Sequence, residues 1–189
     1  MLVFSDTSPI SCLASLQRLD LLDAYGSVRI TQAVKNELDA HPLVDARADI
    51  TAALERGWLL ISDDSMGGEL QILLGYELDA GEAATLAAAK SSGADLVLID
   101  EREGRKWARR LGLRAVGTLG ILLRAKRDRK LLSLRESMRL LTEVYGFSIS
   151  PDLLNEACAA SCVRQVLQKG MEVLVEVGVL VGSRTNCAA

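Results

Sequence analysis

The feature that most constrains the fold is an apolar run near the start of the chain that ends in an acid and leads directly into a helix. Leu2 to Phe4 is apolar, and Asp6 follows. Serine caps helices well and proline suits the first helical position, so Ser8-Pro9 predicts a helix start. In open α/β sheets the ligand crevice lies at the carboxyl ends of the strands. Asp6 is therefore predicted at such an edge, although a turn Asp after a strand is also common.

Short apolar runs alternate with helical patterns along the rest of the chain. Further strands are predicted at 28–30, 58–61, 95–99 and 114–116. The run 95–99 is almost continuously apolar, which is typical of a central parallel strand covered on both faces. This alternation predicts an α/β fold, a three-layer α/β/α sandwich with a mainly parallel central sheet, in one domain over 1–163. Residues 164–189 form a C-terminal tail, either an added edge strand or a poorly ordered end.

Three helices are predicted to begin close to acidic residues. The leucine spacing after the first acid predicts one helix from Ser8 to Ala24. Thr31 is expected to cap a second helix, in which Glu37 falls next to the apolar face. An acid at that place lies either at the border of the core or in a cleft. Asp79 and Glu82 begin an alanine-rich helix with the spacing of a capping box.

Composition excludes several classes of protein. The chain has 189 residues, is 49% hydrophobic and carries a net charge of -3, so it is globular and its overall charge gives no nucleic-acid signal. Four cysteines and one histidine form no disulfide framework or zinc pattern. No signal peptide and no apolar run of about 18 residues is visible, so no membrane partner is expected. A reducing cytoplasm is the simplest location.

Four acids share positions at strand ends or helix starts, and these positions face the same edge of the predicted sheet. They are Asp6, Glu37, Glu82 and Asp100. Carboxylates in contact raise one another's pKa, and a bound divalent cation removes that conflict. Hard oxygen ligands suit Mg²⁺ or Mn²⁺, and such ions can activate water for phosphodiester hydrolysis. The pattern predicts a four-carboxylate metal site without a His, Cys or Ser nucleophile.

Each acid also has an ordinary explanation when it is taken alone. Asp6 fits a turn residue, Glu37 fits a surface acid beside Lys35, and Glu82 fits the capping box. Asp100 fits a solvated charged turn. Together these explanations are weaker, because all four acids fall at the edge of one sheet.

Basic residues are concentrated after the fourth acid, between Arg102 and Arg139. Arg102, Arg105 and Lys106 follow Asp100 on one predicted helix. A basic patch beside an acidic pocket would hold a phosphate backbone with salt-sensitive, largely sequence-independent affinity. The alternative is a solvated helix face paired with nearby glutamates. Trp107, on the same helix, would stack on a base or pack against a neighbouring helix.

The chain also carries an ordered series of short motifs. They are Asp6-Thr7-Ser8-Pro9, Val34-x-x-Glu37-Leu38, Leu78-Asp79-Ala80-Gly81-Glu82-Ala83, Leu98-Ile99-Asp100-Glu101 with Arg105, Gly112-Leu113, and Gly117-Thr118-Leu119-Gly120. This series resembles the PIN-domain proteins, in the group of VapC-like toxins and PIN-like nucleases. The resemblance spans roughly 1–157, and it rests on the order and spacing of the motifs together.

The resemblance implies a metal-dependent endoribonuclease, often the toxin of a toxin–antitoxin pair, with RNA as substrate, a protein antitoxin as partner and frequent homodimerisation. It also assigns roles to residues. Asp6 and Glu37 correspond to the first and second metal-binding acids, Glu82 to the helix-start acid, and Asp100 to the acid after the fourth strand. Thr7 or Ser8 would position a metal-bound water, and Thr118 would contact substrate or water.

Two departures from the family pattern leave alternatives open. Many relatives have a further Asp just beyond the position of Asp100, where this chain has Glu101 and Glu103. Asp79 also competes with Glu82 as the third ligand. The other functions considered are a PIN-like binding protein without catalysis and a receiver-like signalling domain. No Gly-rich phosphate loop is present to support a nucleotide-driven enzyme.

Overall fold

The computed structural model describes residues 1–62 and 68–159, with the side chains of 144 and 145 excepted. The strands are β1 (Val3–Ser5), β2 (Val28–Ile30), β3 (Leu59–Ile61), β4 (Leu96–Leu98) and β5 (Ala115–Val116). The helices are α1 (Thr7–Ser15), a 3-10 helix (Leu19–Tyr25), α2 (Gln32–Asp39), α3 (Val44–Glu55), α4 (Gly68–Leu74), α5 (Ala80–Ser91), α6 (Arg102–Arg110), α7 (Thr118–Arg127), α8 (Leu134–Tyr145) and α9 (151–159). The predicted tail 164–189 lies outside the described residues.

The five strands form one sheet in the order β3-β2-β1-β4-β5, and all four strand pairs are parallel. The predicted α/β/α sandwich is confirmed. The chain winds outward on one side of β1 and then restarts on its other side with β4. The crevice between the carboxyl ends of β1 and β4 is therefore the switch point at which open α/β sheets bind ligands. The order also differs from the 2-1-3-4-5 order of receiver domains, so the receiver-like alternative is wrong.

The core lies on both faces of the central strands. Val3 and Leu98 pack into a cluster with α1, α3, α7 and α8, whereas Phe4 and Val97 pack into a second cluster with α5 and α6. Neighbouring residues of a strand point to opposite faces, so the central positions of β1 and β4 are apolar on both sides. This burial explains why positions 96–99 of the predicted run are continuously apolar.

The first helix differs from its prediction at both ends. Asp6, in extended conformation, occupies the N-cap position, so Thr7 rather than Pro9 is the first helical residue. The helix ends at Ser15, and Gln17 adopts a left-handed φ of 55°. A separate 3-10 helix follows, so the single helix from Ser8 to Ala24 is wrong. The spacing of leucines indicates which face of a helix is apolar. It does not indicate the left-handed backbone angle at Gln17 that interrupts this helix.

Hydroxyl groups cap two further helices, α2 and α9. The hydroxyl of Thr31 accepts a hydrogen bond from the Val34 N–H at 3.3 Å, as expected of the cap of α2. The hydroxyl of Ser150 accepts one from the Leu153 N–H at 3.3 Å at the start of α9. In the described ranges, no helix has the length and hydropathy to cross a bilayer.

Candidate active site

Asp6 stands at the carboxyl end of β1, directly beside β4. Its backbone N–H donates to the Leu98 carbonyl at 2.9 Å, which ties the ends of the two central strands together. The residue is 4% exposed. Burial raises the pKa of Asp6 to about 7, and the negative charges of Asp79 and Glu37 add to this effect. The backbone N–H groups of the first helical turn lower the pKa only in part. Asp6 is thus a buried acid that loses its proton only near neutral pH.

Glu82 is a second buried acid, placed in the first turn of α5. The carboxylate of Asp79 caps this helix by accepting the Glu82 N–H at 2.8 Å. The side chain of Glu82 takes no part in this cap, and its buried Oε1 atom has no hydrogen-bond partner among the described residues. Burial raises the pKa of Glu82 to about 7, followed by the charges of Asp79, Asp6 and Glu101. The capping box accounts for Asp79 and leaves the Glu82 carboxylate unexplained.

Asp100 lies just beyond β4 and is held by the start of α7. Its Oδ1 atom accepts the Thr118 N–H at 2.8 Å, and its Oδ2 atom accepts the Thr118 hydroxyl at 2.6 Å. Burial raises the pKa of Asp100, while the two Thr118 bonds and the charge of Arg105 lower it. Thr118 therefore fixes the orientation of this carboxylate and favours its charged form.

Glu37 is solvent-exposed on α2, yet its carboxylate is directed at the same sheet edge. It accepts a hydrogen bond from the Thr7 hydroxyl at the start of α1. It also lies against α5, since a Cβ atom on Gly81 would stand 2.7 Å from Glu37 Oε1. The carboxylate thus joins the first turns of two helices that follow the sheet edge.

Three of the four acids occupy space that only a glycine leaves free. A Cβ atom would stand 2.7 Å from the nearest carboxylate oxygen at Gly81, 2.5 Å at Gly104 and 2.6 Å at Gly117. Those oxygens belong to Glu37, Glu82 and Asp100, respectively. Real Cβ atoms essentially never approach to less than 3.0 Å. No role was predicted for these glycines, although glycine is disfavoured inside helices such as α5 and α6 and its presence there is a visible signal.

The four predicted acids lie along one edge without closing into a single cluster. The charges of Glu37 and Asp6 raise the pKa of Asp6 and Glu82, respectively, whereas the acid whose charge raises the pKa of Asp100 is Glu101. Among the described residues, no three Asp, Glu, His or Cys side chains already form a group that could hold a metal ion.

The residues present nevertheless fit a divalent cation. The donors are oxygens, which suit Mg²⁺ or Mn²⁺. Asp6 and Glu82 are both buried acids whose pKa is raised by burial and by neighbouring charges, and one oxygen of Glu82 is unpaired. A cation between them would offset both causes of the raised pKa. The glycine contacts leave room for the carboxylates at the places where they now stand.

The six predicted substrate residues divide into three groups. Ser8, Arg102 and Arg105 line a cavity of about 490 Å³ beside Asp100. Thr7 and Thr118 instead hold Glu37 and Asp100, as described above.

Lys106 lies apart from this cavity. Its ammonium group donates to the Glu103 carboxylate at 2.9 Å and forms a salt bridge on the same helix. Trp107 packs against the second core cluster, and its ring N–H donates to Glu77 at 3.0 Å. The guanidinium of Arg110 covers the Trp107 ring at 4.6 Å, so helix packing rather than base stacking describes this residue.

The far wall of the cavity was not predicted from the sequence. Gly146, Phe147 and Ser148, in the turn after α8, complete the lining. Phe147 is one of only two phenylalanines in the chain and follows a glycine at a helix end. That pattern predicts a C-cap, but it carries no information about which distant strand end the turn approaches.

A family model described as a PIN domain matches residues 2–161 of the chain. The match includes all five strands and every site residue named above. The comparison with curated proteins found no match.

Proposed function

The chain belongs to the PIN-domain family, and from this premise we propose that it is a metal-dependent endoribonuclease that hydrolyses RNA phosphodiester bonds. PIN domains are generally nucleases that act on nucleic acid and usually use divalent metals. The observation that carries the proposal for this chain is the pair of buried acids at the switch point. Asp6 and Glu82 are each 4% exposed, and both have a pKa near 7.

We assign the metal ligands to Asp6 and Glu82, with Glu37 and Asp100 as the outer ligands. A bound Mg²⁺ or Mn²⁺ would supply charge neutralisation at the phosphate and a water of lowered pKa. Buried charge is costly unless it is compensated, and this favours cation binding by the two inner acids. The Thr118 hydrogen bonds hold the Asp100 carboxylate in one orientation, so the side chain loses less conformational entropy when it binds a ligand.

Positive charges that could attract the substrate lie in the cavity beside Asp100. Arg102 and Arg105 line the neighbouring cavity and carry positive charge. A phosphodiester backbone that approached the acids alone would be repelled by them. The two guanidinium groups offset this repulsion and would hold the phosphate in a forked geometry.

A second function is a PIN-like protein that binds nucleic acid without cutting it. One observation favours it. Thr118 already satisfies both oxygens of Asp100, and no three carboxylates of the described chain are grouped as metal ligands. Metal-independent RNA binding without cleavage would be the result of this arrangement.

We also propose a biological setting from the VapC-like resemblance, namely the toxin of a toxin–antitoxin pair in the cytoplasm, with a protein antitoxin and a homodimeric state. Exposed apolar side chains on α4 and just beyond it support a protein partner, since Ile72, Leu73 and Tyr76 are 67%, 65% and 83% exposed. Co-expression with the product of the neighbouring reading frame, followed by size-exclusion chromatography with light scattering, tests both partners. Separate elution of the two proteins and a monomeric mass would contradict this setting.

The nuclease assignment is tested by cleavage of a fluorophore–quencher RNA with EDTA, Mg²⁺ or Mn²⁺. We expect cleavage only with a divalent ion, and we expect Asp6→Asn and Asp100→Asn to abolish it. Asp49→Asn, an exposed acid on α3, is the matched control and should cleave normally. Circular dichroism of each variant verifies folding. Undiminished cleavage by both site variants would refute the assignment, and metal-independent binding without cleavage would favour the second function.

A further inference from the structure

A cavity of about 490 Å³ lies beside the acidic edge and is only partly made by it. Three separate segments form its walls: the first turns of α1, the start of α6 and the turn after α8. Asp100 and Glu101 reach it, whereas Asp6, Glu37 and Glu82 do not. The cavity is therefore adjacent to the proposed metal ligands, and its size falls in the range of small-molecule pockets.

The charge on the α6 wall suits an anion. Arg102 and Arg105 line the cavity, and in the described part of the chain neither guanidinium group forms a hydrogen bond or a salt bridge. Lys106 on the same helix is instead engaged with Glu103. Arg105 also lowers the pKa of Asp100, so its positive charge is directed toward the end of β4. Two guanidinium groups that make no hydrogen bond to the described residues can hold a phosphate in a forked geometry.

The turn after α8 provides an aromatic wall. Gly146 has a left-handed φ of 70°, and the Phe147 N–H donates to the Leu141 carbonyl at 2.9 Å, which closes the helix and fixes the position of the next residue. Phe147 packs against the first core cluster on one side and lines the cavity on the other. An aromatic ring anchored in this way is a platform on which a nucleobase can stack.

Hydroxyl groups complete the lining. Ser8 and Ser11 contribute from α1, and Ser148 contributes from the turn after α8. Each hydroxyl can donate and accept hydrogen bonds, as can the 2′-hydroxyl of a ribose. A phosphate-binding pair of arginines, an aromatic platform and several hydroxyls in one cavity match the three parts of a ribonucleotide.

We propose that this cavity is a nucleotide subsite for single-stranded RNA. The phosphate lies on Arg102 and Arg105, and the base stacks on Phe147. Its position next to Asp100 makes it the subsite for a nucleotide that flanks the scissile phosphate, and this last point rests on the proposed nuclease function. Binding itself requires neither metal nor hydrolysis. A base within a duplex is already stacked on its neighbours and cannot reach Phe147, so the subsite selects unpaired nucleotides.

Fluorescence anisotropy tests the subsite with the full chain, a labelled single-stranded RNA and EDTA, which keeps the probe uncut. Phe147→Leu retains an apolar side chain in the core but removes the aromatic ring, and we expect about 5- to 100-fold weaker binding. Phe147→Trp should restore it. The Arg102→Gln, Arg105→Gln pair should also weaken binding and make the slope of log affinity against log salt shallower by about 1.4. Arg109→Gln, an exposed cation on α6 outside the cavity lining, is the matched control.

Normal binding by Phe147→Leu would overturn base stacking, and an equal loss in Arg109→Gln would overturn a specific phosphate site. Equal affinity for a duplex of the same sequence would overturn the selection of unpaired nucleotides. The two proposals fail separately. A protein that shows these binding changes but cuts no RNA keeps the subsite and loses the nuclease, whereas metal-dependent cleavage with unchanged binding in all variants keeps the nuclease and loses the subsite.

Discussion

The buried acids predict an unusual dependence of stability on pH. In the folded, metal-free protein the pKa of Asp6 rises from 3.8 to about 7, and that of Glu82 rises from 4.5 to about 7. In the unfolded chain both return to ordinary values, so the folded state binds more protons between these limits. The contribution of these two acids to stability is therefore fully present in acid, below the unfolded pKa values, and it is lost as pH rises through about 7.

The size of the change in the free energy of unfolding above pH 5 follows from the interval between pH 5 and the folded pKa of each acid. Between pH 5 and a folded pKa of about 7 there remain about two units, and each unit corresponds to about 1.36 kcal/mol. Each acid alone would then contribute roughly 3 kcal/mol. The two shifts are coupled, since the charge of Asp6 contributes to the pKa of Glu82. We expect the free energy of unfolding to fall by roughly 3–5 kcal/mol between pH 5 and pH 8 in the wild type.

Asp6→Asn tests this reasoning because it removes one charge and keeps the shape of the side chain. The assay is urea unfolding in EDTA at several values between pH 5 and pH 8. Between pH 5 and pH 8, the free energy of unfolding of the variant should fall by at most about half as much as that of the wild type. At pH 8 the variant should be more stable than the wild type by roughly 2 kcal/mol. Adding Mg²⁺ at pH 8 should stabilise the wild type more than the variant, since a ligand of the folded state raises its stability.

The surface variant Asp49→Asn is the control and should follow the wild-type curve. A free energy of unfolding that stays constant or rises between pH 5 and pH 8 would refute the reasoning. Identical curves for the wild type and Asp6→Asn would also refute the reasoning, because ionisation of Asp6 would then not lower the free energy of unfolding.

Two further predictions concern the contacts that hold the carboxylates. A Cβ atom on Gly104 would stand 2.5 Å from Glu82 Oε1, so Gly104→Ala should displace this carboxylate and lower Mn²⁺ affinity by about 10- to 100-fold in titration calorimetry. Gly75→Ala, where a Cβ meets only ordinary contacts, is its control, and equal affinities in the two variants would count against the contact. Thr118→Val removes the hydroxyl bond to Asp100 and should raise the acidic limb of the pH–cleavage profile by about one unit. Thr118→Ser should leave that limb in place, and an unshifted limb in the valine variant would contradict the assigned role.

Much of the fold is predictable because its signals are local. The run 96–99 is apolar at each position, and it becomes the central strand Leu96–Leu98, buried on both faces. The Thr31 cap depends on residues three positions apart and is found as predicted. The end of α1 was missed for a complementary reason. Gln17 has a left-handed φ, although the apolar residues on either side of it keep a helical spacing. Side-chain spacing does not report backbone angles, so it could not predict this break.

The acids show the same division within the site. Asp6 and Asp100 each follow a strand of a parallel sheet, so their common edge follows from topology. The environment of Glu82 does not. Its local spacing fits a capping box, and only the packing of α6 against α5 leaves its Oε1 buried and unpaired. Gly104, which makes room for that atom, lies 22 positions further along the chain, beyond any local pattern.

The sequence by itself determined the alternation of strands and helices, their caps, and the edge at which acids and arginines gather. These properties depend on side-chain periodicity and on hydrogen bonds between residues a few positions apart. The tertiary structure alone decided which acids are buried, which glycines they touch, and that Phe147 closes a cavity beside Asp100. Burial and through-space charge set the pKa values, and both depend on distances that exist only after helices far apart in the chain pack on the same sheet.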